Sequence, residues 1–228
     1  MFVLLSFTLS ASTPTPGGRT AISIQVDESL ERGNLGNTFY YTAWNHAGTH
    51  VDAPGHMLPG EKVIADLSIS HLIFEHPHLV PVPTQDDQLI TFDDLQPHTD
   101  AIALSDLLLL RTGFTKYRAA DPMRYRDHNP GLSVEIARYL SSHRFPRLRA
   151  IGIDTISMAA AAHALAGLEA HKILFAKNGQ YPVVLIEDMD LRSDLTHLKR
   201  VIVAPLFIEG LDSSPCTVIA EVEARPTR

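Results

Sequence analysis

Three short apolar runs constrain the fold of this 228-residue chain more than any other feature. They are Leu107–Arg111, Ala150–Asp154 and Val183–Ile186. Only the charged residues that end the first two interrupt them, so each run is predicted to be a strand buried within a sheet. A chain of this length can bury a sizeable core around such strands.

The remaining pattern predicts more strands than helices. Ser133 is the predicted N-cap of the clearest helix, Ala159–Phe175 forms a second helix, and Thr91 opens a short third one. The other predicted strands are Met1–Ser10, Thr20–Val26, Thr38–Trp44, Leu79–Pro83, Val201–Leu206 and Thr217–Glu221. The prolines in Leu79–Pro83 confine that strand to a sheet edge.

Two stretches are expected to lack regular structure: the polar loop Phe114–Pro130 and the exposed apolar loop Leu58–Ile73. No repeat or long linker divides the chain, so residues 1–228 are predicted to form one domain. Single helices interrupt the strands, which predicts a mixed α/β or α+β fold.

Composition and charge limit the classes of binding partner and the cellular compartment that we expect for this chain. The net charge is −7 and no basic run occurs, which disfavours nucleic acids and anionic membrane surfaces as partners. The single cysteine, Cys216, excludes an internal disulfide and suits a reducing, cytoplasmic location. The apolar start Met1–Ser10 resembles a short secretory signal, but it lacks basic residues, which favours a strand. No run reaches the ~18 apolar residues of a membrane span.

The stretch NHAGTHVDAPGH, residues 45–56, concentrates potential metal ligands. His46, His50, Asp52 and His56 share one parity and would leave the same face of an extended segment. Fully extended, His46 and His50 would lie about 13 Å apart, and Gly48 permits a bend that shortens this gap. Imidazole and carboxylate without thiolate favour Zn²⁺, Mn²⁺ or Fe²⁺.

The residues alone leave other interpretations open. In a chain with 12 histidines, some clustering on a surface loop is expected. Two histidines and one carboxylate also describe the facial triad of non-haem iron oxygenases, for which Arg192 or Arg200 would have to bind a cosubstrate. A non-catalytic metal-binding module is a third possibility.

The motif HAGTHVDAPGH resembles the HxGTHxDxPxH signature of the cyclase family of metal-dependent hydrolases, which includes bacterial kynurenine formamidase and isatin hydrolase. The resemblance continues in the correct order through most of the chain. Its later blocks are LLLLRTGF, HNPGLSVEIARYL, IGIDTISM, HKILF, LIEDMDL and LDSSPCTVIA. It implies a swivelling β/β/α-type domain, with a central mixed sheet or barrel flanked by helices.

The resemblance also implies a site. One divalent ion would take His46, His50 and Asp52; Asp52 would reach a second ion together with His171, and Glu187 would contact both. The ions would be Zn²⁺ or Mn²⁺, and His56 would be the proton-transfer residue.

Alternatives remain at the distal positions of this implied site. His163 competes with His171, although the residues after His171 match the family better. Asp188 and Asp190 are the fallback residues for Glu187.

The activity implied is hydrolysis of an amide, lactam or formamide, or of a lactone, in a small molecule. The known arylformamidase carries an aromatic residue in an amino-terminal turn that corresponds here to Pro14–Gly17, which has none. Candidates for a replacement are Phe7, Tyr40, Tyr41, Trp44 and Phe114. A homodimer or homotetramer is also implied, and Leu58–Ile73 is the expected contact segment.

Overall fold

The computed structural model describes residues 1–177 and 182–223. The strands are β1 (Phe2–Leu4), β2 (Ile22–Glu28), β3 (Thr38–Ala43), β4 (His50–Asp52), β5 (Ile73–Phe74), β6 (Pro77–Pro81), β7 (Leu89–Ile90), β8 (Leu107–Arg111), β9 (Gly131–Leu132), β10 (Ala150–Ile153), β11 (Val184–Glu187), β12 (Leu198–Pro205) and β13 (Ser213–Val222). The helices are α1 (Phe92–Leu95), α2 (Thr99–Leu104), α3 (Tyr117–Ala120), α4 (Pro122–Asp127), α5 (Val134–Leu140) and α6 (Ala164–Phe175).

A nine-stranded mixed sheet organises the fold and confirms the predicted α+β class. Its order is β5-β12-β13-β4-β11-β10-β8-β6, and β1 pairs with β13. Strands β6, β8, β10 and β11 are parallel, whereas β4, β5, β12 and β13 pair antiparallel. Strand β12 also approaches β6, so the sheet curves towards closure. The proline-containing β6 lies at an edge, as predicted.

The three apolar runs form adjacent parallel strands, β8, β10 and β11, at the centre of this sheet. Leu108 and Leu110 pack in a core cluster shared with α5 and α6, while Leu107 and Leu109 pack in a second cluster on the other face. Each leucine is fully buried and contributes about 1.5–3 kcal/mol to folding. Both faces of β8 are covered, and this is why its sequence does not alternate.

The predicted helix starts are confirmed at two positions. The Ser133 hydroxyl accepts a hydrogen bond from the Ile136 N–H at 3.2 Å, and Thr91 forms a capping box with Asp94. The helix predicted from Ala159 instead begins at Ala164, after a 3-10 turn. Close packing explains the delay, because Gly167 lies so near Ala159 that a Cβ on Gly167 would be 2.3 Å from the Ala159 Cβ.

The prediction of a loop at Phe114–Pro130 was wrong. The segment 114–130 contains α3 and α4, and the Asp121 carboxylate caps α4 by accepting the Arg124 N–H at 3.1 Å. The segment Leu58–Ile73 has two 3-10 turns and otherwise little regular structure. Its apolar side chains are only partly exposed as expected, because Ile64, Leu67 and Leu72 are buried in the core that β4 joins, whereas Ile69 is exposed. None of the helices in the described ranges combines the length and hydropathy of a membrane span.

Candidate metal centre

Strand β4 places two predicted ligands on one face at the middle of the sheet. It lies between β13 and β11, and its register sets His50 opposite Glu187. His50 and Asp52 are two residues apart, so their side chains leave the same side of the strand. His50, Asp52 and Glu187 are each at most 3% exposed. The sheet therefore concentrates two carboxylates and an imidazole at a deeply buried position.

A turn at Gly48 brings His46 to this group. Gly48 has φ +64°, a conformation that side-chain-bearing residues rarely adopt. The ring centroids of His46 and His50 lie 5.1 Å apart, far less than in an extended chain. The bend predicted at Gly48 is thus confirmed. Residues 45–56 do not form one extended segment, however, because turns precede and follow β4.

The hydrogen bonds of His50 leave one of its nitrogens aimed at carboxylates. Its Nδ1–H donates to the Gly48 carbonyl at 2.8 Å. Its Nε2 lies 3.5 Å from Asp52 Oδ1 and 3.4 Å from Glu187 Oε2. Although buried, His50 Nε2 and Asp52 Oδ1 make no hydrogen bond. An imidazole lone pair facing two carboxylates is the donor set of a divalent cation, so these residues fit a metal ion.

His46 faces Asp52 in the same way. Its Nε2 contacts the Ser213 hydroxyl at 3.0 Å, and that hydroxyl lies 3.0 Å from Asp212. If Ser213 donates to Asp212, neutral His46 donates through Nε2 and keeps a lone pair on Nδ1. This Nδ1 lies 3.2 Å from Asp52 Oδ1.

Helix α6 supplies His171 to the other side of Glu187. The His171 Nδ1–H donates to the Gly167 carbonyl at 2.8 Å, and Nε2 lies 3.1 Å from Glu187 Oε1. The Met158 N–H also donates to Oε1, at 2.7 Å, which holds the carboxylate in place. His163, the alternative to His171, is exposed on the turn before α6.

Among residues 1–177 and 182–223, two groups of side chains could hold an ion, and Asp52 belongs to both. Donor atoms of His50, Asp52 and Glu187 lie within 4.8 Å of one another, as do those of His46, Asp52 and His56. Burial opposes protonation of His50, but Asp52 and Glu187 outweigh it and raise its pKa to about 9. The pKa of Glu187 falls well below its ordinary value despite burial, because His171 and His50 face it. Without a metal, protons thus supply the positive charge that the carboxylates require.

His56 lies on the 3-10 turn that follows β4, beside the His46 ring at a centroid distance of 4.4 Å. Its Nδ1 lies 3.3 Å from Asp212 Oδ2. The Asn45 amide donates to Asp212 Oδ1 at 3.1 Å and fixes that carboxylate further. Ser213 and His56 hold the pKa of Asp212 below its ordinary value, although partial burial opposes this. Asp212 was not predicted; the only signal for it is its place in the block LDSSPCTVIA.

A second hydrogen-bond network that the sequence did not predict is centred on Asp188, next to Glu187. Asp188 is buried with φ +51°, and the Arg118 guanidinium donates to both of its oxygens at 2.7 and 2.6 Å. The Tyr125 hydroxyl donates to Asp188 Oδ1 at 2.6 Å. Asp188, the alternative to Glu187 as a ligand, therefore has both carboxylate oxygens hydrogen-bonded to Arg118 and Tyr125. These hydrogen bonds also connect α3 and α4 to the residue that follows β11.

A cavity of about 460 Å³ opens over the centre. Its outer wall includes Arg19, Trp44, Met57 and Leu168. The Arg19 guanidinium lies 4.9 Å from the centroid of the Trp44 ring.

The remaining sequence candidates lie elsewhere. Phe7 stacks on Arg118, Tyr40 and Tyr41 are on β3, and Phe114 is buried. The two arginines considered for an oxygenase pair with carboxylates, Arg192 with Asp190 and Arg200 with Glu75, and neither lines this cavity.

Known proteins resemble the chain over most of its length. The model of the Cyclase family, described as "Putative cyclase", matches residues 3–160. Kynurenine formamidase of Bacillus cytotoxicus is 28% identical over 215 residues, which cover 94% of each chain. Isatin hydrolase A of Labrenzia aggregata, bound to benzyl benzoate, superposes with a TM-score of 0.79 at 21% identity, covering 98% of this chain and 94% of the other. A "potential metal-dependent hydrolase with cyclase activity" gives a TM-score of 0.74 at 22% identity, covering 99% of each chain. The chain described here belongs to the cyclase family.

Proposed function

We propose that this protein is a metal-dependent hydrolase that cleaves the carbon–nitrogen bond of an amide, lactam or formamide in a small molecule, or a related lactone. One observation carries the proposal: the buried atoms His50 Nε2 and Asp52 Oδ1 lie 3.5 Å apart without a hydrogen bond, and Asp52 lines the cavity. The kynurenine formamidase and isatin hydrolase relatives support hydrolytic chemistry.

We assign the ligands as the resemblance implies. His46, His50 and Asp52 would hold one Zn²⁺ or Mn²⁺ ion, and Asp52, His171 and Glu187 a second, with Glu187 also serving the first. The compact group of His50, Asp52 and Glu187 supports at least one bound ion, and the second ion rests on the resemblance. When bound, such ions supply Lewis acidity and lower the pKa of water.

The proton transfers fall to His56. If the Nδ1–H of His56 donates to Asp212, then Nε2 is free to accept a proton from the attacking water and deliver it to the leaving nitrogen. Asp212 fixes the tautomer and the ring orientation of His56, and it stabilises the imidazolium that forms between the two transfers. Asn45 and Ser213 keep the Asp212 carboxylate in place.

The outer wall favours a substrate with a flat ring. Trp44 lines the cavity and offers the aromatic face that Pro14–Gly17 lacks. Arg19 is the only lysine or arginine among the described residues that line the cavity, and it suits a carboxylate or carbonyl on that ring. An arylformamide is thus our preferred substrate class.

Elemental analysis of the purified protein, combined with a hydrolysis screen on N-formylkynurenine, isatin and simple lactams, tests this proposal. We expect one to two metal ions per chain, lost in Asp52→Ala, and hydrolysis that a chelator abolishes. Metal below one equivalent and unaffected by His50→Ala or Asp52→Ala would contradict the metal site. Turnover that requires oxygen would favour an oxygenase.

A further inference from the structure

The last residue pair between β4 and β11 joins two of the candidate ligands, His50 and Glu187. Beyond that pair the strands have no further ladder hydrogen bonds, and strand ends open readily. One step further along, however, the Thr49 hydroxyl donates to the Asp188 carbonyl at 2.5 Å. Thr49 precedes His50 and Asp188 follows Glu187, so a side chain continues the pairing past the two ligands.

The backbone at Asp188 needs support to stay in this position. Its φ of +51° lies in the left-handed region, which costs a residue with a side chain about 1–3 kcal/mol unless its surroundings hold it. Arg118 donates to both carboxylate oxygens and Tyr125 to one of them. The Asp188 N–H also donates to the Thr155 carbonyl at 2.7 Å. The residue beside Glu187 is thus fixed through its backbone and its side chain.

Phe7 closes this network into a ring of contacts. Its N–H donates to the Thr49 hydroxyl at 3.0 Å, and Arg118 Cζ lies 3.9 Å from the centroid of its aromatic ring. Contacts therefore run from Thr49 to Asp188, to Arg118, to Phe7 and back to Thr49. The Arg118 and Asp188 side chains are only 12% and 1% exposed. Removal of the cation would therefore leave a buried carboxylate without its charge partner.

We propose that Thr49, Asp188 and Arg118 form a positioning brace for the metal centre, which fixes the separation of His50 and Glu187 before an ion binds. His50 Nε2 and Glu187 Oε2 lie 3.4 Å apart in this arrangement. Among the described residues that line the cavity, none belongs to the brace, so it acts through the ligands and not on the substrate. A site that is already ordered binds more tightly. The inference rests on the proposed metal site.

Competition with a chromophoric chelator, which measures the Kd for Zn²⁺, tests the brace. Thr49→Val keeps the size of the side chain but removes the hydroxyl, and we expect the Kd to rise about 10–100-fold. Thr49→Ser retains a hydroxyl and should restore most of the affinity, whereas Arg118→Met should weaken binding as Thr49→Val does. Arg192→Met is the matched control, because Arg192 pairs with Asp190 but its side chain is 65% exposed.

Hydrogen exchange of the metal-free variants, followed by mass spectrometry, separates positioning from folding. We expect faster exchange in β4 and β11 of Thr49→Val, with a melting temperature and exchange elsewhere near wild type. Wild-type Kd values in Thr49→Val and Arg118→Met, or an equal loss of affinity in Thr49→Ser or Arg192→Met, would overturn the proposal. Wild-type protein that binds no Zn²⁺ would instead contradict the proposed function. The exchange rates would then decide alone, and unchanged exchange in β4 and β11 would overturn the brace.

Discussion

The buried ligands of the metal centre lie on paired strands and a helix, whereas three of the four residues of the outer wall of the cavity lie on turns. His50, Asp52 and Glu187 are fixed by the register of β4 and β11, and His171 by α6. All four are at most 3% exposed. Regular backbone holds donor atoms of His50, Asp52 and Glu187 within 4.8 Å of one another, and His171 Nε2 lies 3.1 Å from Glu187.

The outer wall is built differently. Arg19 follows the 3-10 turn Pro16–Gly18, Trp44 lies just after β3, and Met57 follows the turn that carries His56. Leu168 belongs to α6, but its side chain is 42% exposed. Turns tolerate substitution better than a buried sheet, so substrate choice can vary while the metal chemistry is retained.

The largest expected effect comes from Asp52→Asn among the buried ligands. Asparagine keeps the shape of the side chain but removes the charge shared by both groups of ligands. We expect loss of bound metal and a fall in kcat of about 10³-fold or more. Mass spectrometry of the metal and steady-state kinetics measure this. Glu135→Gln, which removes an exposed carboxylate on α5, is the control, and an equal loss there would contradict the assignment.

Next, metal-free protein should become less stable as pH rises. The pKa of His50 is about 9 in the folded protein, against 6.5 for the unfolded reference. The protonated ring therefore stabilises the fold fully below about pH 6.5, and this stabilisation is lost as pH rises through 9. The shift corresponds to on the order of 3 kcal/mol.

Denaturant unfolding of chelated and metal-loaded protein between pH 6 and 10 would show this difference. The loaded protein should lack the His50 contribution, because a metal replaces the proton on Nε2. Parallel pH profiles for the two forms would argue against His50 as a ligand.

A smaller effect is expected for Asp212→Asn, a substitution in the cavity lining beside His56. Loss of the carboxylate should lower kcat about 10–100-fold with little change in KM, while the metal content stays normal. Because His56 would protonate the leaving nitrogen, anilides with poor leaving groups should lose more activity than nitroanilides. An equal loss of kcat for anilides and nitroanilides would indicate that Asp212 has only a structural role.

The smallest effect is expected from Trp44→Leu in the outer wall. Removal of the aromatic face should raise KM for arylformamides about 3–10-fold, leaving kcat and metal content near wild type. Trp44→Phe should restore most of the affinity. An unchanged KM, or an equal rise for an aliphatic formamide, would mean that Trp44 does not contact the substrate ring.

Local sequence signals predicted the parts of the fold that local physics decides. The hydroxyl of Ser133 and the capping box of Thr91 act within one helical turn. The uninterrupted leucines of β8 indicate a strand that is buried on both faces. Segment 114–130 was mistaken for a loop because its helices are short and charged. What stabilises them is distant: Tyr125 donates to Asp188 across 63 residues.

By itself, the sequence determined the mixed fold, the three central strands, the bend at Gly48 and the ligand-rich stretch 45–56. Only the tertiary structure decided that Asp212 lies beside His56 and that Trp44 lines the same cavity as His171 and Glu187. The first set depends on hydrophobic periodicity and backbone preference, which act between neighbours in the chain. The second depends on strand register and turn geometry, which join residues more than 100 positions apart and leave little trace in local sequence.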